Sequence, residues 1–200
     1  GKKTCTRRIV KGAIPDDAMW GYTMFTPKGC VSCRGVYADE YGEKFFRLPY
    51  QQGDILYVRE TWQFLYELDD NEQPVEETGK YYYAATDITL FNTYVDENGV
   101  KHDYVPWRPS IHMPKEAARI WLKVTDIRVE RLQDIDGKGC VKEGIEEEPL
   151  KYVGEEFVKG MYHDLWDSTI KKSDIDRYGW DANPWVWVID FERCDKPKEE

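Results

Sequence analysis

The chain has 200 residues, 41% hydrophobic, 14% aromatic and 33% charged, a length and balance that suit one folded domain with a well-solvated surface. Its net charge of −10 and pI near 4.9 weigh against a broad nucleic-acid surface, because binding a long duplex relies on neutralising phosphates with Lys and Arg. No apolar run is long enough to cross a bilayer, and five irregularly spaced cysteines read as reduced cytoplasmic thiols rather than a disulfide framework.

The opening GKKTCTRR concentrates positive charge at the start of this acidic chain. Thr4 to Val10 reads as a strand, with Thr4, Thr6 and Arg8 on one face and Cys5, Arg7 and Ile9 on the other. Gly1 stands where a helix-ending glycine belongs, so a helix is expected upstream of it. Residues 12–50, rich in Gly, Pro, Asp and Tyr, read as loops with short hairpins. GDILYVRETW, Gly53 to Trp62, reads as a strand behind a turn glycine. Glu67 to Thr78 reads as a solvated acidic loop and Tyr81 to Asp87 as a further strand. Asn98-Gly99 marks a two-residue hairpin.

In WRPSIHMPKEAARI, Trp107 to Ile120, the prolines impose extended backbone before them, and Pro114 opens a short helix through Arg119. IWLKVTDIRVERL follows as a long strand whose alternation shifts phase near Asp126, the mark of a bulge or bend. Asp134 to Ile145 reads as a short helix capped by Asp134. Val153 to Lys172 reads as a helix with Phe157, Met161, Leu165 and Ile170 on or near its apolar face. PWVWVIDFER, Pro184 to Arg193, is a closing strand with Trp185, Trp187, Ile189 and Phe191 on one side, and residues 195–200 are a charged tail. Such elements make an α+β protein around a small curved sheet or barrel.

The opening also reads G-x-K-x-x-T-x-R (Gly1, Lys3, Thr6, Arg8), which resembles the signature of ASCH domains. GDILYVRETW, WRPSIHMPKEAARIWLKVTDIRVERLQDI, the VKEGI ending at Ile145, and LWDSTI followed by WDANPWVWVIDFE are similar to the larger, phage-associated branch of that family. The resemblance implies one ASCH domain over residues 1–194. Its fold is then a PUA-like β-barrel with a few peripheral helices and long loop insertions at about 12–50 and 63–105. The implied function is recognition of a nucleotide or RNA (modified) base in a cleft, in the cytoplasm of a bacterial or phage-infected cell. Amide hydrolysis of acetylcytidine, the reaction of some small ASCH proteins, is the implied extension. A ribonuclease and a non-catalytic phage protein that binds a host partner are the alternatives.

In the acetylcytidine amidohydrolases the signature supplies a Lys and a Thr, and a later helix end supplies a Glu. The matching positions are Lys3, Thr6 and Glu143. Thr6 then acts as nucleophile or orients water beside Lys3, whose pKa must fall through burial or through cationic neighbours such as Lys2, Arg7 and Arg8. Glu143 orients the lysine or carries a proton to the leaving amine. Arg8 stabilises negative charge on the ligand, and Arg59, Arg108 and His112 are further nucleotide-binding candidates. Arg59 and Glu60 lie on opposite faces of a strand, so at most one faces the cleft. His112 is either a base-edge donor or a structural hydrogen-bonder. The plainer reading of GKKTCTRR is a basic strand start that pairs with an acidic body and does no chemistry. Cys30-x-x-Cys33 lacks a spaced second pair, so neither a metal nor another cofactor is expected. The expected partner is RNA, a nucleoside or a single-stranded nucleic acid in a small cleft, with no membrane. Glu143 is expected to converge on the basic start of the chain, within direct reach or one water of Lys3 or Thr6.

Overall fold

The computed structural model describes residues 3–11, 19–26, 29–39, 42–45, 49–69, 71, 73–87, 94–95, 101–102 and 107–197, with backbone alone at 19–45, 67–68, 74, 76 and 94–102. Gly1 and the Asn98-Gly99 hairpin lie outside them. The architecture is mixed α+β. The strands are β1 (Cys5–Ile9), β2 (Met19–Thr26), β3 (Gly29–Asp39), β4 (Gly42–Phe45), β5 (Ile55–Tyr57) and β6 (Trp62–Leu68). They continue with β7 (Pro74–Tyr83), β8 (Tyr94–Val95), β9 (Lys101–His102), β10 (Trp121–Arg131) and β11 (Trp185–Cys194). The helices are α1 (Gly137–Lys142), α2 (Glu148–Tyr152), α3 (Glu155–Thr169) and α4 (Ile175–Tyr178). A four-stranded sheet in the order β1-β11-β10-β5 curls as half of a barrel. Among the described residues, no helix is long and apolar enough to cross a membrane.

Two compact units divide the chain: Gly1–Ile55 with Lys123–Arg193, and Leu56–Leu122 with Cys194–Glu200. In the first, β1 runs antiparallel to β11 with Cys5 opposite Asp190 and Arg7 opposite Val188. Cys5 and Arg7 are buried while Arg8 is exposed, the alternation expected of a strand with one face on the core. Val186, Trp187, Val188 and Ile189 are buried in succession. The WVWVID pattern therefore has a second buried face, where Val186 and Val188 pack with Cys5, Leu132, Ile135, Cys140, Val158, Tyr162 and Trp166. Burying each such aliphatic side chain is worth about 1.5–3 kcal/mol.

Helix α3 turns a different face to this core from the one its sequence suggests. Val158, Tyr162 and Trp166 are buried, whereas Phe157 is 51% and Leu165 45% exposed. The stripe sits one residue later because the two large rings bury the most area, and Trp166 Nε1 also finds an acceptor in the Tyr178 carbonyl at 2.9 Å. The cap of α1 differs too. Asp136, not Asp134, accepts from the Gly139 amide at 2.6 Å, while Asp134 closes the preceding 3₁₀ turn, Leu132–Asp134. The glycines of α1 are there for space: a Cβ on Gly137 would lie 2.5 Å from Leu150 Cδ1.

Residues 12–50, expected as loops with short hairpins, contain an antiparallel three-stranded sheet, β2-β3-β4, with Thr26 opposite Gly29 and Val36 opposite Phe45. Their Trp, Tyr, Thr, Phe and Val residues supply the β propensity that the glycines obscure.

In the second unit the acidic stretch 67–78 is no solvated loop. It belongs to the β6-β7 hairpin, where Trp62 pairs Tyr83 and Phe64 pairs Tyr81; such aromatic cross-strand pairs outweigh the poor strand propensity of Glu. The strand expected through Asp87 ends at Tyr83 and is followed by a turn. GDILYVRETW is interrupted after Tyr57, and Gly53 turns at φ +95°. The helix expected after Pro114 is a 3₁₀ turn, Lys115–Ala117. Trp62, Tyr83, Met113, Ala117, Ala118 and Trp121 form this unit's core.

Candidate functional site

Glu143 follows directly on α1. The helix end is fastened to the start of β1 by the Thr4 amide, which donates to the Lys142 carbonyl at 2.9 Å, and Gly144 turns the chain away at φ +107°. Because of this docking, a carboxylate from residue 143 meets the first residues of the chain. Lys3 Nζ lies 2.9 Å from Glu143 Oε2, with 46% of the lysine side chain exposed and 4% of the glutamate. Arg7 Nη1 donates to Oε1 at 3.4 Å, from a side chain only 3% exposed. Tyr162 is buried near the same carboxylate; burial, then the charge of Glu143, pushes its pKa up and keeps the hydroxyl protonated.

From Arg7 the charges continue in alternation. Its Nη2 lies 3.2 Å from Glu130, and Glu130 also binds Arg128 Nε. Arg128 Nη1 binds Asp190, with Asp126 at 3.4 Å, and Lys142 lies 3.5 Å from Asp190. Burial opposes the charges at both ends of this run, but the pairings outweigh it. The pKa of Arg128 is raised by Glu130 and Asp190, and that of Asp190 is lowered by Arg128 and Lys142. Arg7 Nε, fully buried, has no partner among the described residues. A pocket of about 380 Å³ opens beside this network, lined by Arg7, Arg128, Glu130, Lys138 and Lys142 among others. Cys5, also in its wall, has its thiol pushed up to about 12 by burial and by Asp190 and Glu143, so it is a neutral, unreactive group.

The structure thus brings Lys3 and Glu143 together. Thr6 is on the opposite strand face from Arg7, and its hydroxyl accepts from Arg8 Nη1 at 3.0 Å. Arg8 is exposed and also donates to the Arg7 carbonyl. Arg59, Arg108 and His112 belong to the second unit. There Arg59 donates to the Ile111 carbonyl and the Tyr57 hydroxyl, Arg108 stands 5.2 Å over the Trp62 ring, and His112 ends the exposed 3₁₀ turn Ser110–His112. Glu60 takes two bonds from Arg119, at 2.7 and 2.8 Å. The Cys30 and Cys33 side chains lie outside the described residues, among which no group of His, Cys, Asp and Glu is arranged to hold a metal.

Sequence reasoning counted Arg7 only as a cationic neighbour of Lys3 and passed over Glu130, Arg128, Asp190 and Tyr162. One signal was available. Arg7 falls on the same strand face as Cys5 and Ile9, and a guanidinium at a core position demands carboxylate partners from elsewhere. Set beside family models, curated proteins and solved structures, the chain matches none.

Proposed function

We propose that the Lys3–Glu143 site of the first unit recognises a nucleotide or RNA base in a cleft of the ASCH, PUA-like kind. Its chemistry is amide hydrolysis on a modified base such as acetylcytidine. The observation that carries this reading is the buried Glu143 carboxylate, held between half-exposed Lys3 and buried Arg7. A carboxylate fixed by two cations is preorganised, and the ammonium at its outer edge is the part a ligand reaches. The resemblance of Gly1, Lys3, Thr6 and Arg8 to the ASCH signature supports the choice of a nucleic ligand.

In the reaction, water adds its oxygen to the acyl carbon and the bond from that carbon to the exocyclic nitrogen breaks. One water proton passes by way of Glu143 to the departing amine, and acetic acid and the free base leave. Lys3 holds the acyl oxygen as negative charge grows on it. Thr6, already bonded to Arg8, holds the ligand with that arginine rather than making the attack.

The test is a panel of modified nucleosides and short RNAs followed for binding and for acetate release. Wild-type protein binds and turns over an acetylated cytidine; Lys3→Ala and Glu143→Gln lose turnover while remaining folded. Absence of binding to every nucleoside and RNA, or turnover unchanged in folded Lys3→Ala, contradicts the reading.

A further inference from the structure

We infer that the pocket beside Arg7 takes the phosphate of the ligand, so that a nucleoside monophosphate is bound in preference to its nucleoside. The inference rests on the nucleotide reading of the Lys3–Glu143 site for the identity of the rest of the ligand. The pocket itself, about 380 Å³, falls within the size range of small-molecule sites, about 300–1,000 Å³.

The carboxylates of the pocket are already engaged. Glu130 is divided between Arg7 and Arg128. Asp136 caps the Gly139 amide at 2.6 Å, and Asp134 accepts from the Arg131 amide at 3.3 Å. Asp134 and Asp136 accept only from backbone amides and keep their charge, and the groups on the donor side with bonds to spare are Arg7, Lys138 and Lys142. Arg7 Nε is buried without a partner among the described residues. Lys138 forms no ion pair among the described residues and is exposed, and Lys142 reaches only Asp190, at 3.5 Å.

A buried N–H without an acceptor is costly, and the cost is recovered when a ligand brings one. Arg7 is pinned at both terminal nitrogens by Glu143 and Glu130, so the acceptor has to come to it. A phosphate offers several charged oxygens at once, enough for one buried N–H and two ammonium groups. The same carboxylates limit how much negative charge is welcome, since like charges repel. A monophosphate therefore suits the pocket better than a triphosphate. Because Arg7 also holds Glu143, a phosphate seated here lies beside the pair assigned to the base.

Calorimetric titration of cytidine, cytidine 5′-monophosphate, cytidine 5′-triphosphate and ribose 5-phosphate tests this, with wild-type protein and a Lys138→Ala, Lys142→Ala double variant. In wild type the monophosphate binds about tenfold more tightly than cytidine, the worth of a charged hydrogen bond, and more tightly than the triphosphate. The double variant loses that preference and keeps its affinity for cytidine. Ribose 5-phosphate binding with the same lysine dependence, while cytidine fails to bind, keeps the phosphate site and ends the base reading. Equal binding of cytidine and its monophosphate to wild type, or a preference that survives both substitutions, overturns the inference and leaves the base reading standing. No binding by any of the four overturns both.

Discussion

Arg7 and Glu143, 136 residues apart in sequence, meet at 3.4 Å with side chains 3% and 4% exposed. Neither charge is tolerable there alone. Removing one partner of a buried pair costs about 3–5 kcal/mol because the other is left uncompensated. Glu143→Ala is therefore expected to lower unfolding stability by roughly that amount in urea titrations, with Glu143→Gln losing less because it still accepts a hydrogen bond. Replacing both partners together, as Arg7→Met with Glu143→Leu, is expected to restore much of the loss. A single Glu143→Ala variant as stable as wild type contradicts the pairing.

At Lys3 stability and the proposed ligand binding are expected to separate. Its side chain is nearly half exposed, and exposed ion pairs contribute about 0–1 kcal/mol. Lys3→Ala is expected to unfold within about 1 kcal/mol of wild type, since Glu143 keeps Arg7. A much larger destabilisation measured by denaturant titration shows that Lys3 serves the fold rather than a ligand.

Asp136 gives a local check on α1. Its carboxylate caps the helix whose end carries Glu143, so Asp136→Ala is expected to cost about 0.5–2 kcal/mol, as loss of a helix cap does. Asp134→Ala is expected to cost less, and thermal melts of the two variants rank them. The reverse order returns the cap to Asp134.

The buried thiols give a pH dependence with a definite sign. Burial pushes Cys5 up to about 12 and Cys140 up to about 11, from an ordinary 9.0. The unfolded chain therefore loses these protons first. Their contribution to stability is complete below pH 9 and fades as pH rises through about 11 to 12. Thiol labelling read residue by residue is expected to leave Cys5 and Cys140 unmodified in native protein at pH 8 and to modify both in denaturant. Native labelling of Cys5 at the rate of a free thiol removes the basis for this.

Asp190 acts at the other end of the scale. Burial raises its pKa, but Arg128 and Lys142 outweigh it and the net shift is downward from 3.8. Its stabilisation is present above that ordinary value and lost as pH falls through the lower, folded one. Asp190→Asn is expected to flatten the acid limb of the stability profile; an unaltered limb speaks against the Arg128 pairing.

Much of the sheet was legible because alternation in Cys5–Ile9, Trp121–Arg131 and Trp185–Cys194 reports half-buried strands directly. The phase shift near Asp126 appears as buried residues at Val124 and Ile127, three apart rather than two. The parts that were not legible depend on tertiary choice. Nothing local tells Val158, Tyr162 and Trp166 from the stripe one residue earlier, and two aspartates compete to cap α1 until packing selects Asp136. In the site, the convergence of Glu143 on Lys3 was anticipated from the family resemblance. The network beyond it was hidden because Arg128, Glu130 and Asp190 look like ordinary solvated charges until β10, β11 and β1 are placed side by side. Thr6 shows the limit of motif spacing, since strand parity sets it with Arg8 rather than with Arg7.

The central claim is that the Lys3–Glu143 pair, braced by Arg7, meets a nucleic ligand. Its most direct measurement is calorimetric titration of acetylated cytidine into wild type and Lys3→Ala, each first shown by circular dichroism to be folded. Saturable binding to wild type and at least about tenfold weaker binding to the variant, the loss of one charged hydrogen bond, are expected. Equal affinities for the two proteins, or no heat from either, contradict it.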